Sequence, residues 1–439
     1  MMSFMDPTTL AIAGIVVMLA LIAMGVPIAF AMAVVGAGGY WILVGYKPAL
    51  TQVYMNAVQK GSELVFIALP LFILMGQLVY HSKLAVDLYD CVQKWFGRLP
   101  GGLAITSVAG CAGFGAVTGS SVAAVATIAP MAMPEMRRYN YDPRLATGAL
   151  ASAGTLAMLI PPSVILVAYG IWTETSIGHL FIAGVVPGIV LATMYALYIW
   201  GRCKINPEMG PVGPHYTWTE RFSSLWKLLP IFTIFFIVLG GIYAGIFTPT
   251  EAAGIGVSGV FLVMVLMGRF KWNAVKHALM DAGRTSAMIF AIIIGGHIIG
   301  AFLNVTGVTD GLITWIAELG VNKYVVLAIF VVMYLILGAI LDVWGMLILT
   351  LPFVFPVVTS LGFDPVWFGI FIVVMVEIAL ITPPIGINVY VMHNLAPDIE
   401  LTEIFKGVMP FVAVSLVFVV LLTAFPQMAL FLVEISFSR

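Results

Sequence analysis

Charged residues are scarce in this sequence: Asp, Glu, Lys and Arg make up 9% of its 439 residues, whereas hydrophobic residues make up 62%. Soluble domains carry about 25% charged residues, so this scarcity excludes an ordinary soluble protein. The mean hydropathy is +1.11, and the chain contains many apolar runs of the ~20 residues that a membrane-spanning helix needs. The composition therefore predicts an all-α polytopic membrane protein.

Several motifs are also missing. The only cysteines are Cys91, Cys111 and Cys203, and their wide spacing excludes a disulfide framework and a cysteine metal site. There is no His-Glu-x-x-His motif and no Ser-His-Asp set at one predicted depth, which argues against a membrane enzyme. The sequence has no basic patch with interleaved aromatic residues, so it gives no sign of a nucleic-acid partner. Its N-terminus has no basic leader, so no cleaved signal peptide is predicted.

The prolines recur at a constant separation along the chain. Six of them each have a partner 222 positions later: Pro27 with Pro249, Pro130 with Pro352, Pro134 with Pro356, Pro143 with Pro365, and Pro161-Pro162 with Pro383-Pro384. The same 222-residue separation at six prolines predicts a tandem duplication, with one copy over residues 8–200 and the other over 230–425.

Each copy contains the same unusual pair of segments. In the first copy, the short apolar segments 101–117 and 121–136 are joined by Thr118-Gly119-Ser120-Ser121, and the long segment 145–172 is interrupted by Pro161-Pro162. In the second copy, 324–340 and 343–358 are joined at Leu341-Asp342, and 365–392 is interrupted by Pro383-Pro384. Segments too short to span comfortably predict two re-entrant helical hairpins, and each proline pair predicts a broken helix.

The basic residues support this interpretation. If 101–136 enters and leaves on one side, Lys47, Lys60, Lys323 and Arg439 fall outside, and the other fifteen of the 19 basic residues, Lys83 among them, fall on the cytoplasmic side. A full crossing at 101–136 would destroy this bias. The hairpin leaves an odd number of true spans in each copy, so the second copy is predicted to run inverted relative to the first.

Irregular backbone at membrane depth is tolerated only where it is buried or lines a cavity, so the hairpin tips and helix breaks predict a binding site near the midplane. Freed carbonyls and hydroxyls suit sodium, and half-helix N-termini suit an anion. The predicted sodium-binding residues are Gly119, Ser120, Ser121, Gly154, Thr155, Leu341, Asp342 and Thr382. The predicted substrate-binding residues are Ser121, Pro162, Ser163, Pro384, Gly386 and Asn388. The alternative for any one Gly/Ser cluster is close helix packing.

Other polar residues of the apolar segments have two interpretations each. Glu377 either carries a proton or holds the broken helix together, and the structural role is favoured although an intramembrane carboxyl is functional by default. Asp342 is either an ion ligand or a cap at the hairpin tip. His297 is favoured as a packed histidine over a proton relay, and Glu251 as a helix cap.

The sequence resembles the large membrane subunit, of the DctM type, of tripartite ATP-independent periplasmic (TRAP) transporters. The resemblance covers the whole chain, and its most specific parts are Gly119-Ser120-Ser121, Ile160-Pro161-Pro162-Ser163, and the stretch from Glu377 through Thr382-Pro383-Pro384 to Asn388. It implies an inverted-repeat, elevator-type transporter. The transport domain would comprise 101–179 and 321–397, and the scaffold 1–100, 180–320 and the final span in 398–439.

The resemblance also implies sodium-driven uptake of an organic acid across the bacterial inner membrane. The periplasmic N-terminus predicted from the basic residues is compatible with it. Sodium is the coupling ion, and no cofactor is implied. The implied partners are a separate small four-helix membrane subunit and a periplasmic substrate-binding protein. Sialic acids, C4-dicarboxylates, sugar acids and keto acids stay open as substrates. A stand-alone sodium- or proton-coupled anion symporter is the alternative.

Overall fold

The computed structural model describes residues 6–82 and 84–437, and these residues form twenty α-helices with short 3-10 and π turns and no strand. Lys83 and Arg439, which enter the charge count above, lie outside the described residues. Seven of the described helices are long and apolar enough to cross a membrane, and one bent helix pair makes an eighth span. The chain is an all-α, multi-pass membrane protein.

The first half of the chain forms ten helices. Their bounds are α1 (Pro7–Ala23), α2 (Ile28–Val44), α3 (Tyr46–Tyr54), α4 (Ala68–His81), α5 (Leu84–Phe96), α6 (Gly102–Thr118), α7 (Ser121–Arg138), α8 (Pro143–Leu159), α9 (Val164–Thr173) and α10 (Ile177–Ile205).

The second half forms another ten. They are α11 (Trp218–Tyr243), α12 (Pro249–Leu266), α13 (Trp272–Thr306), α14 (Val308–Glu318), α15 (Lys323–Gly338), α16 (Val343–Ser360), α17 (Pro365–Ala379), α18 (Ile387–Leu395), α19 (Leu401–Ala424) and α20 (Gln427–Phe437). The helix order after α5 recurs after α14, so α6 to α10 correspond to α15 to α19. The inverted orientation of the second copy stays a prediction.

The helices form where the sequence predicts the hairpins and broken helices. We call α6 and α7 hairpin 1, with residues 119–120 as tip 1, and α15 and α16 hairpin 2, with residues 339–342 as tip 2. Break 1 is residues 160–163, between α8 and α9, and break 2 is residues 380–386, between α17 and α18. Helices α8 and α9 are bent by 41° at break 1.

Three segments differ from what the sequence pattern predicts. The pattern predicts an amphipathic stretch over 270–283 and a separate span over 285–303, but the two form one continuous helix of 35 residues, α13, because no proline interrupts the backbone between them. It predicts a long polar loop over 202–227, but the chain is irregular only over 206–217, which includes a short 3-10 turn, because Thr217 and Glu220 form a capping box that starts α11 early. It predicts a final span over 407–426, but α19 ends at Ala424, and α20 follows Pro426 as a separate helix packed against α10 and α17.

The buried core of the molecule lies around the first halves of the two broken helices. Every residue of α8 from Leu145 to Leu159 and every residue of α17 from Val366 to Ala379 is buried. Helix α8 packs against α6, α7, α17 and α19, so both hairpin 1 and the second copy rest on it. This arrangement brings the two breaks and the two tips toward one region.

Candidate functional site

Tip 1 is a two-residue turn built by local backbone rules. Gly119 adopts a left-handed conformation (φ 60°), which ends α6 and which glycine tolerates without a steric penalty. Ser120 then starts α7 as its N-cap, because its hydroxyl accepts a hydrogen bond from the Ala123 backbone N–H at 3.4 Å. The Gly-Ser pair therefore turns the chain sharply and leaves the first N–H groups of α7 facing away from its own helix.

Tip 2 reaches the same result with different residues. Asp342 is the N-cap of α16, and its Oδ1 accepts a hydrogen bond from the Gly345 backbone N–H at 3.1 Å. Leu341 is buried, and its N–H donates to the Leu337 carbonyl at 2.8 Å. Tip 2 thus places a carboxylate where tip 1 places hydroxyls.

The two breaks end one half-helix and start another. At break 1, Ser163 caps α9, because its hydroxyl accepts from the Leu166 N–H and donates to the Met158 carbonyl. At break 2, Gly386 lies in the left-handed region (φ 45°) immediately before α18. Both proline–proline peptide bonds, at 161–162 and 383–384, are cis.

Both tips and break 2 contribute to one cavity of about 220 Å³, and Met158 of α8 and Val164 of α9 line it on either side of break 1. Two predicted scaffold helices, α4 and α13, also line it. The lining residues are Ile73, Gln77, Thr118, Gly119, Ser120, Ser121, Val122, Met158, Val164, Thr285, Asp342, Val343, Trp344, Leu380 and Ile387. Both tips and break 2 therefore meet at this cavity, and the ends of α8 and α9 beside break 1 join them; that the cavity is a binding site stays a prediction.

Four helices begin at this cavity. The first residues of α7, α9, α16 and α18 are Ser121, Val164, Val343 and Ile387, and all four line it. A helix N-terminus carries a partial charge of roughly +0.5 and unpaired backbone N–H groups. The convergence creates a positive region that favours an anion without any basic side chain.

Close backbone contacts hold tip 1 in place. A Cβ atom on Gly119 would lie 2.9 Å from the Pro162 carbonyl oxygen and 3.1 Å from the Val164 nitrogen, so tip 1 packs directly on break 1. A Cβ atom on Gly76 of α4 would lie 2.6 Å from the Thr118 carbonyl oxygen. Glycine at these two positions is what allows tip 1 to touch break 1 on one side and α4 on the other.

Asn388 connects the second copy to hairpin 1. It is fully buried, and its Nδ2 donates to the Ser121 hydroxyl at 2.6 Å and to the Ala151 carbonyl at 3.0 Å. Gly154 leaves room for it, because a Cβ atom there would lie 3.3 Å from Nδ2. Its Oδ1 has no hydrogen-bond partner among the described residues. Asn388, Ser121 and Gly154 thus form one cluster beside the cavity.

Several predicted site residues lie beside the cavity and do not line it. Thr155 is buried and donates to the Ser152 carbonyl at 2.8 Å, and Thr382 is half-buried and donates to the Ile378 carbonyl at 2.6 Å. Pro384 is exposed. The other predicted residues outside the lining are Gly154, Pro162, Ser163, Leu341, Gly386 and Asn388. Their binding roles stay predictions.

The lining residues that the sequence analysis missed include three with hydrogen-bonding side chains: Gln77 of α4, Thr285 of α13 and Trp344 of α16. Gln77 carried a usable signal, since it is an amide inside an otherwise apolar span, and such residues are functional by default. Thr285 and Trp344 carried none, because threonine and tryptophan are common in membrane helices.

The structure shows the surroundings of three other polar residues of the apolar segments, Glu251, His297 and Glu377. Glu251 caps α12 in a capping box with Thr248, as predicted. His297 stacks on Trp172 of α9, with ring centroids 5.7 Å apart. Glu377 is 2% exposed, and neither of its carboxyl oxygens has a hydrogen-bond partner in the described part of the chain.

The sequence was also compared with known proteins. Residues 15–428 match the model of a family described as the DctM component of the tripartite ATP-independent periplasmic transporter. The chain is 33% identical over 396 residues to the C4-dicarboxylate TRAP transporter large permease protein DctM of Pseudomonas aeruginosa, covering 90% of this chain and 92% of that protein. It is 31% identical to the ectoine TRAP transporter large permease protein TeaC of Halomonas elongata, covering 96% of this chain and 98% of that protein.

Solved structures share the fold. The Alcanivorax borkumensis YdaH transporter superposes with a TM-score of 0.62 at 15% identity, covering 95% of this chain and 98% of that chain. The Neisseria gonorrhoeae MtrF structure superposes with a TM-score of 0.55 at 12% identity, covering 96% and 95%. At these identities the likeness concerns the fold alone.

Proposed function

The chain belongs to the DctM component family of tripartite ATP-independent periplasmic transporters, and from that premise we propose that it is the large permease subunit of a sodium-driven transporter importing a carboxylate-bearing organic acid. Members of this family are transporter permeases and not enzymes. Relatives are named for C4-dicarboxylates, ectoine and 2,3-diketo-L-gulonate, so the family name alone leaves the solute open.

The observation that carries the proposal is the cavity where four helices begin. Its residues come from both tips, from break 2, from the helices on either side of break 1, and from two further helices, α4 and α13. The unpaired N–H groups of the four first turns supply donors for a carboxylate, and the partial positive charge of each N-terminus stabilises it. In water-poor surroundings such fixed dipoles act more strongly than in solution.

Sodium would bind at the tips, where oxygen atoms are concentrated. The hydroxyls of Ser120 and Ser121 and the carbonyls near Gly119 and Gly154 are the proposed donors at tip 1. The carboxylate of Asp342, with oxygens of Leu341 and Thr382, is the proposed donor set at tip 2. Hard oxygen donors of this kind suit an alkali or alkaline-earth cation better than a soft metal. A sodium ion at each tip would also add positive charge next to the solute.

Sodium binding would couple to solute binding through the tips. Ser120 of tip 1 and Asp342 of tip 2 cap α7 and α16, whose N-termini face the cavity. An ion that orders these residues therefore also orders the donors for the carboxylate. A binding event that rigidifies one site lowers the entropic cost of the next. This is how a sodium gradient would drive the solute uphill.

Movement of the site across the membrane would follow the elevator scheme. The hairpins and broken helices would move as one body, since α8 packs against α6 and α7 of hairpin 1 and against α17, and α17 packs against α15 and α16 of hairpin 2. The scaffold wall formed by α4 and α13 would stay in place. Gly76 supports this proposal. It has no side chain where α4 contacts the Thr118 carbonyl, so nothing protrudes from α4 to block sliding at this point.

The proposed partners are a small four-helix membrane subunit and a periplasmic substrate-binding protein, and the proposed location is the bacterial inner membrane with a periplasmic N-terminus. A relative named the isethionate TRAP transporter permease protein DctMQ supports a second membrane component. The match spans 93% of this chain but only 64% of that longer protein.

Uptake by proteoliposomes tests the function. The chain is reconstituted with the small membrane subunit and supplied with the substrate-binding protein and radiolabelled solute under an inward sodium gradient. We expect uptake with sodium, and none when potassium or choline replaces it or when the binding protein is left out. Uptake by the chain alone would instead establish a stand-alone symporter, and uptake driven by a proton gradient without sodium would establish proton coupling.

A further inference from the structure

The described residues that line the cavity include an acidic side chain but no basic one, and this limits the charge of the solute that the cavity can bind. Among the lining residues, all of which lie in the described ranges, the only charged side chain is that of Asp342, and there is no lysine, arginine or histidine. The positive charge available to an anion therefore comes from helix N-termini and from bound cations.

Uncharged hydrogen-bonding groups from α4, α13 and α16 also line the cavity. They are the Gln77 amide, the Thr285 hydroxyl and the Trp344 indole N–H, all on half-buried side chains. None of the three has a hydrogen-bond partner within residues 6–82 and 84–437, so each is available to a solute in the cavity. Gln77 and Thr285 come from α4 and α13, two helices that pack against each other.

We propose that the cavity selects a small solute with one carboxylate and a polar end that is not anionic, and that Gln77 and Thr285 bind that polar end. This inference rests on the proposed function and deepens it. In this arrangement the carboxylate would bind at the N-termini of α7 and α9, whose first turns carry no acidic residue, because Asp342 caps α16. The polar end would bind near the Gln77, Thr285 and Trp344 side chains.

Charge balance excludes a second carboxylate at that end. If one sodium ion binds at each tip, as proposed above, two positive charges meet the carboxylate of Asp342 and the carboxylate of the solute, and the sum is zero. A dicarboxylate would add a second negative charge that no described group lining the cavity balances, and like charges placed close together repel. An amide or an ammonium group at the same position would pair with Asp342 instead.

The size of the cavity agrees with a small solute. At about 220 Å³ it is below the roughly 300–1,000 Å³ of pockets that enclose drug-sized ligands. A four-carbon chain with two polar ends fits this scale better than a nine-carbon sugar acid.

Three isosteric probes separate these possibilities: succinate with two carboxylates, succinamate with one carboxylate and one amide, and 4-aminobutanoate with one carboxylate and one ammonium group. Each is titrated against the purified full-length chain in lipid nanodiscs at saturating sodium, and the dissociation constant is read from isothermal calorimetry. We expect succinamate or 4-aminobutanoate to bind at least tenfold more tightly than succinate. Tighter binding of succinate, or no binding of any probe, overturns the inference.

Variants assign the polar end to its partners. Thr285→Val and Gln77→Leu should each weaken succinamate binding roughly two- to tenfold, the worth of one neutral hydrogen bond, while Thr285→Ser restores it. Thr193→Val, at an exposed position of α10, is the matched control and should change nothing. Asp342→Asn should raise the affinity for succinate relative to succinamate. Equal affinities in all these variants would overturn the assignment.

One basic residue near the site needs its own control. Arg284 precedes Thr285, is exposed and does not line the cavity. If Arg284→Gln abolished succinate binding, that side chain would supply the missing positive charge and the selection against dicarboxylates would be wrong.

A separate readout distinguishes failure of this inference from failure of the proposed function. Sodium-dependent stabilisation of the chain without any probe tests the ion sites alone. If sodium stabilises the chain and succinate is the best ligand, only the solute class is wrong. If sodium has no specific effect, the proposed coupling itself fails.

Discussion

The Nδ2 atom of Asn388 lies 2.6 Å from the Oγ atom of Ser121, although the two residues are 267 positions apart and belong to different copies of the repeat. Asn388 is in the first turn of α18, just after break 2, and Ser121 is the first residue of α7, just after tip 1. The bond therefore ties the start of one half-helix to the start of another.

Loss of the Asn388 amide should destabilise the chain. In Asn388→Ala the buried Ser121 hydroxyl and Ala151 carbonyl lose their donor, which should cost about 1–3 kcal/mol, as for other buried groups left unpaired. The midpoint of thermal or denaturant unfolding measures this. Asn394→Ala on the same helix, at an exposed position, is the matched control and should stay within about 0.5 kcal/mol of wild type.

A double-mutant cycle with Ser121→Ala then measures the coupling between the two side chains. We expect a coupling energy of about 0.5–3 kcal/mol, the range for residues in one hydrogen-bond network. Strictly additive effects would show that the bond contributes nothing to stability.

Gly119→Ala should destabilise tip 1 by more than backbone strain alone. A left-handed conformation costs a residue with a side chain roughly 1–2 kcal/mol, and the new methyl group would also press on the Pro162 carbonyl and the Val164 nitrogen. Gly268→Ala isolates the first effect, because Gly268 has φ +63° but no atom within 4 Å of the added Cβ. Unfolding midpoints compare the two variants, and equal losses would mean that tip 1 can yield to the methyl group.

Sodium should raise the melting temperature of the chain when potassium and choline at equal ionic strength do not. A ligand that binds only the folded state stabilises it by about 2.7 kcal/mol at one hundred times its Kd. The sodium-specific rise should shrink in Ser121→Ala and in Asp342→Ala, since each variant removes an oxygen donor from one tip. Ser258→Ala removes an exposed hydroxyl from α12 and should keep the full rise.

A sodium-specific rise that the tip variants do not change would contradict the proposed ion ligands. If the rise survived in both tip variants, the Ser121 hydroxyl would serve only as the acceptor for Asn388, and the Asp342 carboxylate only as the cap of α16. The ion sites would then have to be sought among backbone carbonyls.

Glu377→Gln should keep the stability of the wild-type chain. Neither carboxyl oxygen has a hydrogen-bond partner among the described residues, so the replacement loses no bond and conserves the volume. Glu377→Ala should cost about 2–5 kcal/mol, because it leaves a cavity in the core as other large-to-alanine changes do. A Gln variant that folds normally and has lost transport would show that Glu377 carries a proton and does not only fill space.

Much of the architecture was readable from local rules. Proline pairs cannot continue a helix, so Pro161-Pro162 and Pro383-Pro384 marked both breaks, and Gly119 marked a turn. The 222-residue register predicted that whatever forms around the first break recurs around the second, and the helix bounds of α6 to α10 and α15 to α19 agree with this. These signals are local or periodic, which is why a sequence reveals them.

Other features depended on contacts between distant parts of the chain. The sequence indicated a site at the tips but could not show that Gln77 and Thr285 complete it, since nothing local relates α4 and α13 to the hairpins. It suggested Asn388 as a substrate ligand but could not show that Asn388 bonds to Ser121. It also missed α20 as a separate helix, because an apolar stretch of 11 residues after Pro426 becomes a defined element only by packing on α10 and α17.

By itself, then, the sequence determined where the backbone must turn, break and repeat, because proline, glycine and segment length act within a few residues. The tertiary structure decided which of those points share one cavity and which side chains face it, because packing is set by complementary surfaces that lie hundreds of residues apart. The helix N-termini at 121, 164, 343 and 387 were each locally specified, and only the fold turned them toward a common point.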